Sequence, residues 1–310
     1  MSTLREHGTA YLAMRRSLGY KLDGHGRLLM KFIGYLEDHG HSTITTEAAL
    51  AWATAPADTT QAYQNQRLST ARCFARYLSA FDPACQIPPP GLTGPSEPRP
   101  APYLYSPEDI CALIHAAGTL ASPLQAATFQ ALLGLEAVTG LRPGEAAALD
   151  AGDVDLDAAV VTVHGKYDRT RLVPLHPDAA AMLCRYRKRC RRLCPAPASP
   201  AFFLSTAGTR LTVSHVDAVF AQLLALAGIT GGGRRPPRVM DLRHTFAVTT
   251  LAGWYRAGAD VAARMPLLSA FMGHAGPAST FYYLHAAPEL LGLAAQRLHD
   301  HQQQDRKEEP

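Results

Sequence analysis

The sequence lacks the features that define several large classes of protein. No stretch approaches the roughly 20 consecutive apolar residues that a membrane-spanning helix needs, and we therefore expect no membrane association. The N-terminal stretch MSTLREHGTAYLAMRR contains an acidic residue and no apolar core, which is unlike a secretory signal. The net charge of +4 is small for 310 residues. It permits a nucleic-acid partner without requiring one.

Metal-binding and disulfide patterns are missing as well. The six cysteines are scattered without the paired spacings of zinc sites, and we interpret them as reduced thiols of a cytosolic protein. They are Cys73, Cys85, Cys111, Cys184, Cys190 and Cys194. No group of carboxylates, or of histidines and cysteines, has a spacing that suits a metal ion. We therefore expect neither a metal nor another cofactor.

Length and patterning indicate two domains. The chain is long enough for two domains of ordinary size, and its hydrophobic fraction of 47% is typical of a protein with a buried core. In residues 1–82, apolar residues recur at helical spacing in GRLLMKFIGYLEDHG and STARCFARYLSAF, which predicts a small helical bundle. Residues 83–102 are dense in proline and glycine. Such a segment forms neither a helix nor a central strand and is predicted to be a linker.

Residues 103–300 are predicted to form a second, mixed domain. Ser106 and Pro107 are typical first residues of a helix, and a long apolar helix is expected from about Leu124 to Val138. Two β-branched runs, AAVVTVHG and TRLVPL, flank the turn GKYDR and predict a β-hairpin, with further helices beyond it. Residues 301–310 form a polar tail. The predicted fold class is mainly α with a small β-sheet or hairpin, in two domains.

Two places in the second domain carry basic residues that the fold alone does not require. Arg142, in TGLRPGEAAAL, lies between an apolar helix and the start of a new one. It could simply form a surface ion pair with Glu145. Lys166 lies at the predicted hairpin tip and could be an ordinary exposed turn lysine.

Two further places carry polar residues among apolar ones. Arg243 lies within the apolar helix predicted for MDLRHTFA, where it could pair with Asp241 or Asp260. His274 precedes two adjacent tyrosines in FMGHAGPASTFYYLH and could cap the end of a helix.

Together these residue types suit attack of a hydroxyl on a phosphodiester. Arginines bind two phosphate oxygens at once and stabilise the negative charge that develops on them. Tyrosine, with a pKa of about 10, is a weak nucleophile and needs a base or a cationic field. A lysine on a hairpin can protonate the alkoxide that leaves. This chemistry requires no metal.

The four motifs resemble those of the tyrosine recombinases, the phage-integrase family of site-specific DNA strand-exchange enzymes. TGLRPGEAAAL is similar to the box with the first arginine of the family, and VTVHGKYDRTRLVPL to the hairpin with its catalytic lysine. MDLRHTFA resembles the box with the second arginine, and GHAGPASTFYYLH the box that ends in the nucleophile. All four occur in family order behind a helical domain and a linker.

The resemblance implies that Tyr283, and not Tyr282, is the nucleophile. In the family the nucleophile follows the histidine of a glycine-histidine pair by nine residues and precedes another histidine by two, which Tyr283 satisfies with His274 and His285. Tyr282 is one position away, about 100° around a helix, and is interpreted as a packing residue. The implied catalytic set is Tyr283, Arg142, Arg243, Lys166 and His274.

One position departs from the family pattern. Met240 stands three residues before Arg243, where the family commonly has a histidine, and methionine cannot transfer a proton. The other catalytic side chains could share the missing role, Arg238 could substitute, or cleavage could be slow. His244, adjacent to Arg243, is expected to point elsewhere on the helix.

The resemblance further implies a two-domain clamp around duplex DNA, with residues 1–82 as the core-binding domain and residues 103–300 as the catalytic domain. Tyr283 would leave a 3′-phosphotyrosyl enzyme and a free 5′-hydroxyl, with Arg142 and Arg243 holding the phosphate. The family acts as a tetramer on a specific recombination site, with or without other recombinase subunits, in the cytoplasm at the nucleoid. An apolar helix over residues 288–298 could dock on a neighbouring subunit or pack on its own domain.

Other basic residues are candidates for binding DNA phosphates, with a solvated helix face as the alternative. The predicted DNA-binding residues are Arg15, Arg16, Arg67, Arg72, Arg76, Arg234 and Arg235. The denser basic run within residues 185–192 has the same two interpretations.

Two other functions stay open. The protein could be a DNA-binding partner of the same fold with weak or no catalysis, an alternative that Met240 favours. It could also be a DNA-relaxing enzyme like the type IB topoisomerases, although the separate helical domain favours recombination.

Overall fold

The computed structural model describes residues 3–56, 59–94, 101–165, 170–231, 233, 235–274, 276, 278–286 and 290–296, with only the backbone at 278, 285 and 286. These residues form two compact units, one from residues up to 99 and one from residue 100 onward. Each unit contains a hydrophobic core of its own. The predicted fold class, mainly α with a small β-sheet, is confirmed.

Four helices form the first unit. They are α1 (Leu4–Ser17), α2 (Asp23–Asp38), α3 (Thr46–Thr54) and α4 (Gln61–Leu78). Thr3, Thr45 and Thr60 each cap a helix by accepting a hydrogen bond from the backbone N–H three residues on. The apolar stripes of α2 and α4 meet in a core that includes Phe32 and Trp52, whose ring centroids are 4.7 Å apart. Residues 83–94 contain turns and irregular backbone, as their proline content predicts.

The second unit is built around one helix, α6 (Pro123–Thr139), which is buried along most of its length. It packs against α5 (Pro107–Gly118), α8 (Pro177–Leu193) and α10 (Met240–Arg256). Its sequence is apolar on nearly all faces, as a central helix requires. The other helices of this unit are α7 (Pro143–Ala148), α9 (Val213–Leu226), α11 (Val261–Met272) and α12 (Ala278–Ala286).

A three-stranded antiparallel sheet lies in the second unit. Its strands, in spatial order, are β1 (Val154–Asp155), β2 (Val160–His164) and β3 (Thr170–Pro174). Strands β2 and β3 form the predicted hairpin, in which Val163 pairs with Arg171. The short β1 was not predicted because two residues cannot show an alternating pattern.

The end of α6 is set by Gly140, which has a left-handed backbone with a φ of 61°. A Cβ at this position would lie 2.5 Å from the ring of Phe246 on α10. Glycine therefore permits both the turn and the close approach of the two helices. The turn brings Arg142 to the start of α7 directly after α6.

The last described residues, 290–296, form a helical segment. Leu290 is buried in a cluster with residues of α10, α11 and α12, whereas Leu291 is half exposed. Leu290 therefore packs on its own unit, one of the two alternatives considered for this helix, and docking on a neighbouring subunit stays a prediction. None of the described helices is long and apolar enough to cross a membrane.

Replacing Leu36 by alanine should destabilise the first unit by about 2–5 kcal/mol, because the side chain is fully buried and leaves a cavity. Leu18→Ala makes the same chemical change at a position that is 61% exposed, and its cost should stay within about 0.5 kcal/mol. Urea unfolding followed by far-ultraviolet circular dichroism and Trp52 fluorescence measures both costs. Equal costs would contradict the assignment of Leu36 to a packed core.

Candidate active site

Side chains from five segments of the second unit converge on one site. Arg142 precedes α7, Arg171 lies on β3, Arg243 on α10, His274 directly after the C-cap of α11, and Tyr283 on α12. Hydrogen bonds and ring contacts connect these segments. The structure thus brings together four of the five residues predicted to be catalytic, and their roles in a reaction stay predictions.

Arg243 is buried, with 3% of its surface exposed, at the meeting point of two helix ends. Its Nη1 donates to the carbonyl of Gly140 at 2.6 Å, and its Nη2 donates to the carbonyl of Met272 at 2.7 Å. These carbonyls stand at the C-terminal ends of α6 and α11, where the helix dipole is negative and backbone acceptors are unused by the helix. Burial, assisted by the charge of Arg142, lowers the pKa of Arg243 to about 10, and the side chain stays charged at neutral pH.

Neither acid that the sequence offered as a partner pairs with Arg243. Asp241 accepts hydrogen bonds from Arg238, including one of 2.9 Å from its Nη2. Asp260 caps α11 by accepting from the backbone N–H of Ala263. The charge of Arg243 is therefore not cancelled by either of these carboxylates.

A half-buried carboxylate connects two further arginines. Glu145 accepts from Nη1 of Arg142 at 2.6 Å, the ion pair that the sequence suggested. It also accepts from Nη1 and Nη2 of Arg171, at 3.2 and 2.7 Å. Burial acts to raise the pKa of Glu145, but the hydrogen bonds and charges of the two arginines outweigh it and the pKa is lowered. Glu145 is therefore an anion that organises two cations.

His274 lies directly after Gly273, the left-handed C-cap of α11. Its Nε2 is 2.9 Å from Nη2 of Arg243, and its Nδ1 is 2.7 Å from the hydroxyl of Thr280. A guanidinium can only donate. Nε2 must therefore accept, which assigns the ring proton to Nδ1. Burial and the neighbouring arginines lower the pKa of His274 to about 4, and the ring is neutral at physiological pH.

Tyr283 is the more buried of the two adjacent tyrosines, with 3% of its surface exposed. Its ring stacks on that of His274 with 6.0 Å between centroids, and His274 in turn accepts a hydrogen bond from Arg243. Burial raises the pKa of Tyr283, while the charges of Arg243 and Arg142 oppose this rise. Tyr282 is half-buried, with its ring 6.1 Å from that of His244.

Among the described residues near Met240, Arg238 is not free to replace the missing histidine. Met240 is the first residue of α10 and is half-buried. The guanidinium of Arg238 is tied to Asp241, and this ion pair argues against its role as a substitute. His244 lies with its ring 5.5 Å from that of Tyr283, on the tyrosine side of the site.

For three of the residues predicted from the sequence, the structure describes no side chain. Lys166 and Arg234 are not among the described residues, and the side chain of His285 is not described. The role of each stays a prediction. Among the described residues, no group of three or more histidine, cysteine, aspartate or glutamate side chains is placed to hold a metal ion.

Two of the arginines predicted to bind DNA are occupied inside the first unit. Arg67 is 8% exposed, donates to the carbonyl of Trp52 and stacks on its indole, with Cζ 3.9 Å from a ring centroid. Arg67 is therefore a core residue, contrary to the expectation of a phosphate contact. Arg72 is half-buried and donates to the carbonyls of Pro88 and Pro89. It fixes the proline-rich segment onto α4.

The other predicted DNA contacts differ in exposure. Arg15 is half-buried and covers the ring of Tyr20 at 4.0 Å. Three more are exposed: Arg16, Arg76 and Arg235. Phosphate binding by these three stays a prediction.

The basic run lies on α8, most of it exposed. Six basic residues and one acidic residue give α8 a net charge of +5, while the whole chain has +4, which leaves −1 for the remainder. The positive charge of the chain is thus concentrated on one helix, which favours an anionic partner there without identifying it.

Sequence reasoning missed Arg171 and Thr280. Arg171 follows the hairpin tip in a run that reads only as a strand, and Thr280 precedes the tyrosines as an ordinary helix residue. The signal for Arg171 was its place two residues before Val173 on a strand, which puts it on the same face as that buried valine, where an arginine requires a partner. The carbonyls of Gly140 and Met272 carry no signal because every residue has one.

The chain is similar to known proteins of one family. Residues 105–289 match the model of the phage integrase family. The chain also shares 44% identity over 308 residues with a protein of Sinorhizobium fredii provisionally named integrase/recombinase y4rB, across 96% of this chain and 98% of the relative. The chain therefore belongs to the phage integrase family.

More distant relatives extend the comparison. The tyrosine recombinase XerC of Chlamydia caviae is 28% identical over 238 residues, covering 76% of this chain and 71% of that protein. The integrase of the transposon Tn1549, solved with transposon right-end DNA, has a TM-score of 0.68 at 16% identity, covering 96% of this chain and 99% of that one. The structural likeness shows a shared fold.

The ring of His274 should titrate near pH 4, well below its usual 6.5, because burial and the nearby arginines disfavour the charged form. The folded chain then binds this proton less readily than the unfolded chain, and stability should fall as pH drops from 6.5 towards 4. NMR titration of the histidine ring signals measures the midpoint, and His274→Gln assigns the signal. This variant should lose less stability than the wild type across the same window. A midpoint near 6.5 would contradict the burial of the ring among arginines.

Proposed function

We propose that this protein is a site-specific DNA recombinase that cuts and rejoins strands through Tyr283. The observation that carries the proposal is the packing of the Tyr283 ring on the neutral His274, whose Nε2 accepts a hydrogen bond from the buried cation Arg243. A cationic field favours the phenolate that attack on phosphorus requires. Arg142, whose side chain is 38% exposed, presents a second guanidinium to an incoming phosphate.

In the proposed reaction the Tyr283 oxygen forms a bond to the scissile phosphorus as the bond to the 5′ oxygen breaks. The proton of the phenol passes to water, and the departing 5′ oxygen gains a proton, which we assign to Lys166. Arg142 and Arg243 stabilise the charge on the non-bridging oxygens. The 5′-hydroxyl of a partner strand reverses the exchange. One phosphodiester replaces another, and no nucleotide cofactor is needed.

His274 would donate a hydrogen bond to the phosphate from Nε2. In the described arrangement Nε2 accepts from Arg243 and the proton is on Nδ1. The hydroxyl of Thr280 can accept from Nδ1 or donate to it. The ring can therefore change its tautomer when a phosphate becomes the partner of Nε2, and the bond to Thr280 is kept in both states.

The proposed partner is duplex DNA with a specific recombination site, bound by a tetramer of this chain in the cytoplasm at the nucleoid. The relatives support this view: the Tn1549 integrase was solved with DNA, and the lambda integrase as a tetramer on a Holliday junction. The first unit is proposed as the core-binding domain. Exposed Arg16 and Arg76 are its candidates for phosphate contacts.

A second candidate function is DNA binding without cleavage. Met240 favours it, because it stands one helical turn before Arg243 where a proton-transferring histidine is common in the family. The covalent assay described next separates the two candidates. Relaxation of plasmid that carries no specific site would instead indicate a topoisomerase-like enzyme.

Tyr283→Phe should abolish a covalent protein–DNA complex that wild type and Tyr282→Phe both form. The substrate is duplex DNA with the candidate site, nicked near the cleavage point so that a short fragment diffuses away and religation fails. Denaturing electrophoresis without added metal detects the complex. Tyr282→Phe is a matched control, since it removes the same hydroxyl from the adjacent residue. Tight site binding without a covalent band from any of the three proteins would favour the DNA-binding module.

Met240→His should speed formation of the covalent complex by at least about tenfold, because a positioned general acid or base contributes about 10²–10⁴-fold. Position 240 precedes Arg243 by three residues and shares its face of α10. Met240→Leu conserves volume without a titratable group and should react like the wild type. Equal rates for the histidine and leucine variants would show that position 240 does not face the reacting phosphate.

A further inference from the structure

Arg171 binds two elements of the site at once. Its Nη1 and Nη2 form a two-pronged ion pair with Glu145 on α7, at 3.2 and 2.7 Å. Its Nε donates to the carbonyl of Phe271, in the last turn of α11, at 3.0 Å. The side chain itself projects from β3 and is 15% exposed. One side chain thus connects the hairpin, α7 and α11.

All hydrogen-bond acceptor positions of the Glu145 carboxylate are occupied. Oε1 accepts from Nη1 of Arg142 and Nη1 of Arg171, while Oε2 accepts from the backbone N–H of Arg142 and Nη2 of Arg171. A carboxylate offers about four acceptor positions, and all four are used. Arg142 therefore shares the carboxylate and keeps donors for another anion. If Arg171 were removed, Glu145 could turn both oxygens to Arg142.

The charge balance leads to the same conclusion. Arg171 and Glu145 cancel each other as a paired cation and anion. Arg142 and Arg243 then remain as two uncancelled positive charges, the number that suits the extra negative charge of a phosphoryl transition state. Without Arg171, Glu145 would cancel one of them.

The backbone of Gly273, directly before His274, also contacts Arg171. Gly273 has a φ of 66°, and a Cβ on it would lie 2.5 Å from Nη1 and 2.7 Å from Cζ of Arg171. The guanidinium therefore lies directly against the Gly273 backbone. Nη2 of Arg142 approaches the Gly273 carbonyl at 3.4 Å. The position of His274 depends on this contact.

We propose that Arg171 is a positioning residue for strand cleavage, which holds Glu145 so that Arg142 stays available to the phosphate and which supports the Gly273–His274 backbone. This role rests on the proposed recombinase function. Arg171 is placed to act through Arg142 and His274, and we assign it no contact with DNA.

The test compares Arg171→Met, Glu145→Gln and the double variant in the full-length protein. Arg171→Met should slow covalent complex formation on the nicked site DNA by about 100-fold, the scale expected when a catalytic group is misplaced by about 1 Å. The affinity for the same DNA should change by less than about twofold, because the residue is largely buried and most contacts lie elsewhere. In the double variant the rate of complex formation should be about tenfold higher than in Arg171→Met, since it removes the carboxylate that would otherwise bind Arg142 with both oxygens. Arg171→Lys, which keeps the charge but not the two-pronged geometry, should fall between wild type and Arg171→Met.

Arg210→Met is the matched control. Arg210 donates to the carbonyls of Ala147, Ala148 and Leu149 at the other end of α7 and pairs with Asp150. Arg210→Met should lower the free energy of unfolding about as much as Arg171→Met does, without slowing cleavage per folded molecule. A general structural defect would slow both methionine variants alike and would leave the double variant no faster than Arg171→Met, which would overturn the proposal.

A second readout needs no DNA. The ring NMR signals of His274 should shift in Arg171→Met and stay in place in Arg210→Met. Unchanged His274 signals together with wild-type cleavage in Arg171→Met would exclude a positioning role. A wild-type protein that forms no covalent complex on its site would instead contradict the proposed function, while the His274 signals would still decide whether Arg171 supports this backbone.

Discussion

The site depends on one buried cation. Arg243 is almost fully enclosed and is held by the last carbonyls of α6 and α11 and by a neutral imidazole, and no carboxylate of the described residues pairs with it. A guanidinium in this position requires the ends of both helices to be where they are, because an unpaired buried charge costs several kcal/mol. The left-handed Gly140 turns the chain at one of those ends, and the left-handed Gly273 turns it at the other. The geometry of the proposed catalytic site and the stability of the fold therefore depend on the same contacts.

The other side chains of the site leave it with more positive than negative charge. Two arginines lie near Tyr283, one carboxylate is balanced by Arg171, and His274 carries no charge. Under the proposed function the neutral histidine matters, because a third positive charge would bind a ground-state phosphate more strongly without selecting its transition state. The partner of the ring, Thr280, can accept or donate, which leaves the tautomer free to follow the ligand.

Much of this could be read from the sequence. The periodicity of α2, α4 and α6, the hairpin and the four motifs are local signals, and local signals survive folding. Arg67 was misread because an arginine beside apolar residues looks like a surface phosphate contact until its place over Trp52 is seen. Arg171 was overlooked because its importance comes from two partners, at residues 145 and 271, that are distant in sequence. Long-range pairing of this kind leaves no trace in composition or spacing.

The burial of Tyr283 bears on selectivity among phosphates. A phenol enclosed by α12, His274 and His244 is shielded from the many small phosphate esters of a cell. Under the proposed function, the attacking oxygen must be exposed by a change in the packing of α12, and the free energy for this change has to come from binding along a long duplex. A nucleotide or a short oligonucleotide could fill the arginine site without supplying it. The enclosed tyrosine would then react only with DNA above a certain length. Cleavage would occur only where enough DNA is bound to hold the cut strands until they are rejoined.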